Sequence, residues 1–567
     1  MSRRGLALAN RRISKAEPQN HEGHTARRIP REFRVQNCSR MKSDRQITRL
    51  VVAAVFLGFL CLYALTAQRD VNWQDSGVRQ WRVLSGDYTG IEGIALAHPL
   101  YIGLARAFAQ ACPLGSQLFL LNLFSGLGLA TALALLALLV ARITGSLRAA
   151  VGAALLLGLA HMPWWLATVT EVYTWSLAGF LLELVLLQSL LAAPHPRTLV
   201  ALALVSGAGL SLHNFALLAL PVHLTVAVLL VRRGLLPLRA LFCGALAYAI
   251  GCAPLATLVV QDALARHSFG GALSSALFGE AYARQVLGLH SDTMRFARPN
   301  LCLFLLNFAT PCWLLTAFGL RFAPRLVAAP FRFCLLALTA IHALFFLRYF
   351  VADQALFALP TLALLAIWAG IGSAWLLELV ERRRPTDLAQ GSRRAALQYT
   401  LLAGLAIVPV VYWGVCQAVV AWDLAPHRAR ALPFRDEARY WILPWKCNEH
   451  SAQRFVDVAC AQLGSNAVLV ADGAAAGSLL AAAAAGDIRP VFRLVSPYDR
   501  TPTDVAQLMR VALEHPLYVV SPVPGYVPAD LLGGNVVFTK TGVLYRVTSV
   551  AARETSVLPL EPAVLRR

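Results

Sequence analysis

Charge is what this chain has least of. Of its 567 residues only 14% are charged and 57% are hydrophobic, whereas a soluble globular protein carries about 25% charged residues. That deficit excludes a water-soluble enzyme and leaves a polytopic membrane protein. Acid is scarcer than base: 30 Asp and Glu stand against 51 Lys and Arg, for a net charge of +21. The excess does not imply a nucleic-acid partner, because much of it lies before residue 50 and in short connectors between apolar runs, where it reads as topology. The eleven cysteines are scattered, mostly inside apolar runs and without metal-ligand spacing, so they read as buried apolar thiols. Cys447 and Cys460, both in the polar C-terminal region, are the two that an oxidising compartment would let pair. No tandem repeat occurs, and Asp472-Gly473 is not followed by the glycine pattern of a phosphate loop.

A spanning helix needs about 20 apolar residues. Runs of that kind lie near 48–68, 116–141, 147–166, 172–192, 198–213, 214–231, 240–260, 299–320, 331–350, 355–380 and 396–422, so about eleven helices are expected. The fifth and sixth meet at Ser211-Leu212-His213-Asn214 and read either as a helical hairpin or as one broken helix. Residues 1–47 read as a basic, unstructured cytoplasmic tail, with Met41 as an alternative start. It is not a cleavable signal, since the first apolar run is long and lacks a small-residue cleavage site. The inner connectors then hold Arg142, Arg148, Arg197, Arg232, Arg233, Arg239, Arg321, Arg325 and Arg332, followed by the basic stretch 382–394. This orients the chain in a bacterial inner membrane with residues from about 423 outside the cytosol. Arg79, Arg82, Arg106, Arg284, Arg295, Arg298 and Arg348 run against that bias in the outer loops; Asp70, Asp75, Asp87 and Glu92 offset the group in loop 69–115, and the others call for an anionic partner. The region 423–567 changes character. Strand-like runs at 467–471, 491–495 and 517–520 alternate with helical runs at 474–485 and 502–514, and a terminal hairpin spans about 535–550. This is the pattern of a small α/β domain behind a transmembrane module at 48–422.

The unusual polar residues at the membrane's edge all fall on the outer side: Asp75, His98, Glu171, Tyr173, His213, Asn214, Arg348 and Asp353. Each has a plain reading. Asp75 is then a solvated loop acid, Glu171 a helix-start carboxylate, and His98 an ordinary loop histidine. His213 and Asn214 then cap free backbone groups at a hairpin tip, and Arg348 snorkels and pairs with Asp353. Taken together they suit a lipid whose chain lies in the membrane and whose phosphate-bearing head faces out, gripped by a guanidinium.

The ordered set also resembles a known family, the bacterial relatives of the vertebrate protein O-mannosyltransferase TMEM260, within the GT-C glycosyltransferase superfamily. The residues that carry the resemblance are Trp73-Gln74-Asp75-Ser76-Gly77, Ala97-His98-Pro99-Leu100-Tyr101, Glu171-Val172-Tyr173, Leu212-His213-Asn214, and Arg348-Tyr349 with Asp353-Gln354 before Phe357-Ala358-Leu359-Pro360. Order and rough spacing agree from about 48 to 375. The chain departs from the family at Val78, where a second carboxylate is usual, at the contracted Pro99-Leu100-Tyr101, and in the inverted His213-Asn214. The resemblance implies a GT-C-like fold and sugar transfer from a polyprenyl-phosphate donor to a protein or glycan acceptor outside the cytosol. Asp75 would be the base, Arg348 and His98 would hold the phosphate, and Glu171 would orient the acceptor. No obligatory metal is expected, although Asp75 and Glu171 are placed to share Mn or Mg. Two rival readings are a transporter or flippase for a lipid-linked or amphipathic solute, and a catalytically silent scaffold. The first lacks the internal pseudo-repeat common among transporters.

Overall fold

The computed structural model describes residues 31–113, 115–279, 297–349, 351, 353–382, 400, 403–424, 430–499, 515–533 and 536–549, with side chains from residue 45 onward except at 381, 382, 530 and 549. The expected helix at 502–514 lies outside the described residues, as do Arg284, Arg295, most of the basic stretch 382–394, and residues 1–30 of the tail. The chain divides into Met1–Arg49, helical from Arg31, and a compact unit Leu50–Arg567.

The helices are α1 (Arg31–Thr66), α2 (Gln74–Ser85), α3 (Pro99–Ala111), α4 (Gln117–Thr144), α5 (Leu147–Gly158), α6 (His161–Leu166), α7 (Tyr173–Ala192), α8 (Pro196–Leu212), α9 (Ala216–Arg232), α10 (Arg239–Arg266) and α11 (Phe269–Phe278). After them come α12 (Ala297–Leu306), α13 (Leu315–Leu326), α14 (Ala329–Arg348), α15 (Leu359–Arg382), α16 (Val408–Ala421), α17 (Glu437–Ile442), α18 (Ser451–Gln462) and α19 (Gly473–Ala485).

Among the described residues seven helices are long and apolar enough to cross a membrane, and a pair bent by 92°, Ala297–Leu306 with Pro311–Leu326, makes an eighth if counted as one span. Three expected spans are shorter: α5, α8 and α9 have 12, 17 and 17 residues. The differences have local causes. The run 147–166 stops at Gly158 and restarts at His161 because Ala160 is extended (ψ 148°). The run 299–320 breaks at Asn307, whose side chain bonds back to Leu303 O and Phe304 O and accepts from Met162 N at 2.8 Å. A proline at 311 then starts a short 3-10 turn. The Ser211–Asn214 junction separates two helices, with His213 extended between them. The loop 69–115, expected to be a connector, contains α2 and α3.

Burial orders the layers. The span at Gln354–Val380 is 83% buried and α4 67%, so they form the middle of the bundle; the last span, Ala403–Ala421, is 22% buried and keeps one apolar side for lipid. α8 and α10 cross closely where Gly207 faces Tyr248 O and Gly251 faces Leu204 O, leaving no room for a Cβ.

The C-terminal residues form a five-stranded sheet, β1 (Val468–Val470), β2 (Arg493–Val495), β3 (Leu517–Val519), β4 (Val536–Thr541) and β5 (Leu544–Ser549), in the order β2-β1-β3-β5-β4. β1 runs parallel to β2 and β3, and the hairpin β4–β5 pairs antiparallel onto β3. Cys447 and Cys460 are both free thiols, so the pairing that an oxidising compartment would allow is not made.

Candidate active site

α2 is the element that places Asp75. Trp73, extended and buried, precedes it; its indole donates to Ser451 Oγ at 2.7 Å and packs on Phe455. Asp75 lies in the first turn, where a carboxylate is favoured by the helix dipole. It is exposed, while Ser76, Gly77, Val78 and Arg79 behind it are buried. Gly86, in the left-handed region (φ 77°), ends the helix by donating to Arg82 O.

Glu171 stands behind Asp75 and is 3% exposed. It accepts from Ser76 Oγ at 2.7 Å and from Arg79 Nη1 at 2.9 Å on Oε1, and its Oε2 lies 2.8 Å from the same nitrogen. Its backbone is held by Ser125, whose hydroxyl accepts from Glu171 N at 2.8 Å and donates to Glu171 O at 3.2 Å. Thr170 next to it is tied to Asn122 and Asn72. Burial pushes Glu171 up to about 7, against the opposing pull of Arg79 and Ser76. Burial alone would lower Arg79, but Glu171 and Asp75 outweigh it and raise the guanidinium. The cation thus stays charged, and the acid is held near its neutralisation point. Arg79 was counted in the sequence only as a loop arginine offset by nearby acids. Its signal was the spacing Asp75-Ser76-x-x-Arg79, which puts acid and base one helical turn apart.

Tyr173 opens α7 with the Arg79 guanidinium 5.8 Å from its ring centroid. Its ring lies 5.1 Å from His213 and 6.0 Å from Phe357. His213 stacks on His98 at 5.1 Å and 15°. The two imidazoles hold opposite tautomers, inferred from their hydrogen bonds. His98 Nδ1 lies 2.9 Å from Leu212 O, which can only accept, so Nδ1 carries the proton and a neutral ring leaves Nε2 as an acceptor. His213 Nδ1 accepts from Phe215 N, which leaves its Nε2 as a donor. Burial drives both imidazoles down, His98 further lowered by His213 and Arg79, and His213 to about 3. A neutral His98 accepting at Nε2 suits a hydroxyl better than a phosphate.

Asp353 sits where a short 3-10 turn leads into α15, in a loop pinned by Asn300 to Val351 O and Ala355 N. Burial, reinforced by the charge of Asp75, raises it to about 6. Asp75, Glu171 and Asp353 therefore share one electrostatic neighbourhood with Arg79. Two expected residues remain. Asn214 donates to Ala276 O and Leu277 O and anchors the hairpin tip to α11. Arg348 is exposed at the last turn of α14. Two arginines that, like Arg79, read as offset by loop acids are used by backbone: Arg82 donates to Asp87 O, Tyr88 O, Leu96 O and Ala97 O, and Arg106 to Val83 O and Leu84 O.

The site occupies one end of the bundle. Ser125, which holds Glu171, and Arg142, in the last turn of α4, are 17 residues apart on one helix, or about 25 Å at 1.5 Å per residue. Among the described residues no three His, Cys, Asp or Glu side chains are grouped to hold a metal ion. Asp75 and Glu171 do not form an open ligand pair, because Arg79 and Ser76 already engage Glu171.

No protein-family model matches the sequence, and no curated protein does either. Solved structures do match the fold. ArnT from Cupriavidus metallidurans bound to undecaprenyl phosphate aligns with a TM-score of 0.54 at 14% identity, covering 87% of this chain and 97% of that one. The same protein in the apo state aligns with a TM-score of 0.53 at 15% identity, covering 89% and 99%. The chain therefore shares the fold of these ArnT structures, seen here as a helical membrane bundle with a small C-terminal sheet.

Proposed function

We propose that this protein is an integral-membrane glycosyltransferase that moves a sugar from a polyprenyl-phosphate donor to a hydroxyl outside the cytosol of a bacterial cell. The observation that carries the reading is the Arg79–Glu171 pair behind the exposed Asp75, on the fold of a protein solved with undecaprenyl phosphate. Retention of basic residues at the far end of α4 supports an outward-facing site. The resemblance to the TMEM260-related group supports the same reaction class. It would make the product a glycosylated protein or an envelope glycan.

Each residue then has a task. The acceptor oxygen attacks the anomeric carbon, a new C–O bond forms, and the bond from that carbon to the phosphate oxygen breaks. The electron pair leaves with polyprenyl phosphate, and the hydroxyl proton passes to the Asp75 carboxylate. Arg79 spends Nη1 on Glu171; Nη2 and Nε make no other hydrogen bond among the described residues and stabilise the departing phosphate. Arg348 supplies a second cation from the rim, and Asp353 and Glu171 set the charge state around the pair. Tyr173 and the His98–His213 stack wall the reacting centre. In this reading Arg79 supplies the charge a divalent ion would bring, so Mn or Mg is not required.

The test is transfer in membranes from a radiolabelled polyprenyl-phosphate sugar, with wild type and Asp75→Asn at matched expression. Loss of transfer with donor binding retained is the expected result; undiminished transfer would remove Asp75 from the chemistry. Comparing periplasmic proteins and envelope glycolipids by mass spectrometry, with and without the gene, names sugar and acceptor together.

A further inference from the structure

A recess opens beside α2 at Val78 and Trp81, about one and two turns beyond Asp75 and on the opposite helix face from Ser76 and Arg79, which engage Glu171. One wall is α2, with Val78 and Trp81; the other is the loop after it, with Asp87, Thr89 and Glu92; Tyr498, following β2, closes the corner. The Trp81 and Tyr498 rings stand 6.1 Å apart at 46°, both half-buried, and make an angled aromatic corner. The recess is electrostatically continuous with Asp75, whose charge acts on both Tyr498 and Glu92.

The loop is preorganised. Asp87 Oδ1 accepts from Thr89 N, Thr89 Oγ1 and Gly90 N at 3.1–3.2 Å. The Arg82 guanidinium is consumed by four carbonyls, so it has no bidentate face left for an anion. Glu92 is exposed and makes no hydrogen bond to the described residues. The recess thus offers two aromatic faces, a carboxylate acceptor, and two lining acids, Asp87 and Glu92, against one lining cation, Arg82. Aromatic rings pack on the apolar C–H face of a pyranose, and carboxylates accept from its hydroxyls. An anionic group meets the acids Glu92 and Asp87, with Asp75 beyond them, which outnumber the Arg82 cation whose hydrogen bonds are already spent.

We infer that this recess is the acceptor subsite, and that it takes a neutral, hydroxyl-rich sugar residue stacked on Trp81 and Tyr498 with one hydroxyl presented to Asp75. This rests on the transferase reading and chooses between its two acceptor classes, a glycan over a protein side chain. Tyr498 gives the C-terminal region a direct part in acceptor choice.

The experiment uses the full chain in lipid nanodiscs. The probes are neutral methyl glycosides (glucoside, galactoside and mannoside, both anomers), read by saturation-transfer difference NMR, with a serine- and threonine-containing peptide as comparison. Undecaprenyl phosphate binding is measured in parallel on every variant and reports both folding and the donor site. The expected result is saturation of ring C–H protons of at least one glycoside. Binding should weaken about tenfold in Trp81→Ala and in Tyr498→Ala, be retained in Trp81→Phe, and fall in Glu92→Gln, with lipid binding unchanged. No glycoside signal from protein that binds undecaprenyl phosphate overturns the inference, as does a signal indifferent to all these changes. Peptide binding that depends on Trp81 also overturns it, by assigning the recess to a protein acceptor. Failure of undecaprenyl phosphate to bind wild type counts against the donor reading and leaves the glycoside result to stand or fall separately.

Discussion

Gly77 and Gly477 meet backbone to backbone where the helix bearing Asp75 crosses the helix after β1. A Cβ on Gly77 would lie 3.0 Å from Gly477 C, and one on Gly477 would lie 2.9 Å from Gln74 O and Val78 N. Ser478 beside them donates to Asn72 O at 2.8 Å. The candidate base is therefore positioned from the far end of the chain. Gly477→Val should force the helices apart and cost about 1–3 kcal/mol by overpacking. Transfer should fall much more than expression, which in-membrane assay and thermal melting can separate; unchanged transfer would show that the crossing does not set the geometry of Asp75.

Arg79 and Glu171 form a buried ion pair, and breaking one side leaves the other charge unpaired. Arg79→Ala should lower stability by about 3–5 kcal/mol, measured as a fall in the melting midpoint, and abolish transfer. Arg79→Lys should recover stability more than activity, because a point charge cannot serve Glu171 and a phosphate at once. Equal recovery of both would count against a phosphate contact.

Glu171 at about 7 and Asp353 at about 6 predict a pH effect of definite sign. Both are raised above their ordinary values, so the folded state binds protons more tightly than the unfolded chain. Their contribution to stability is greatest at low pH and declines as pH rises through 7. Activity should run the other way, since an ionised Glu171 is what orients Arg79, and the rate should climb across pH 6–7 as the coupled acids titrate. In Glu171→Gln that acid limb should shift or vanish, as a pH–rate profile would reveal; an identical limb would assign it to another group.

Val78 stands where the family that the sequence resembles tends to have a second carboxylate. Here it is buried and its Cγ2 lies 3.0 Å from the Cβ position of Gly477. The apolar side chain is thus a packing residue under α19. Val78→Glu should destabilise the protein and lower transfer; a gain in transfer would mean that the missing acid limits the reaction.

Chelation offers a further check. With Arg79 as the resident cation, transfer in membranes washed with EDTA should stay close to the untreated rate. Activity lost on washing and restored by Mn or Mg would require a metal in place of that role.

Hydropathy made the bundle legible, because each long apolar run needs a helix to satisfy its backbone in lipid. The alternation of short apolar and alanine-rich runs likewise announced β1, α19, β2, β3 and the closing hairpin. Where that reading ran out, the causes were tertiary. The break at 307–314 depends on Asn307 turning back on its own helix. α2 and α3 are amphipathic and short, and gain helical stability from packing, not from a spanning run. Asp75, Glu171 and Tyr173 stood out as polar residues at membrane edges, and the structure does bring them together with His98, His213 and Asp353. Arg79 carried only its spacing from Asp75 as a signal, which does not reveal its partner Glu171. A loop arginine and a buried ion-pair arginine look alike until the partner from another helix is seen. Arg82 and Arg106 show the converse, with conspicuous charges spent on backbone carbonyls of the loop and of the end of α2.

The closeness of Gly77 and Gly477 also bears on how the protein matures. All of the spanning helices are synthesised before residue 473, so the bundle inserts while the helix beside Asp75 still lacks its neighbour. A ribosome-bound or truncated chain ending before α19 would hold a complete membrane portion with an unsupported base. On the proposed reading, transfer would begin only when Gly477 has packed against Gly77, and a half-made chain would leave the lipid-linked donor unspent.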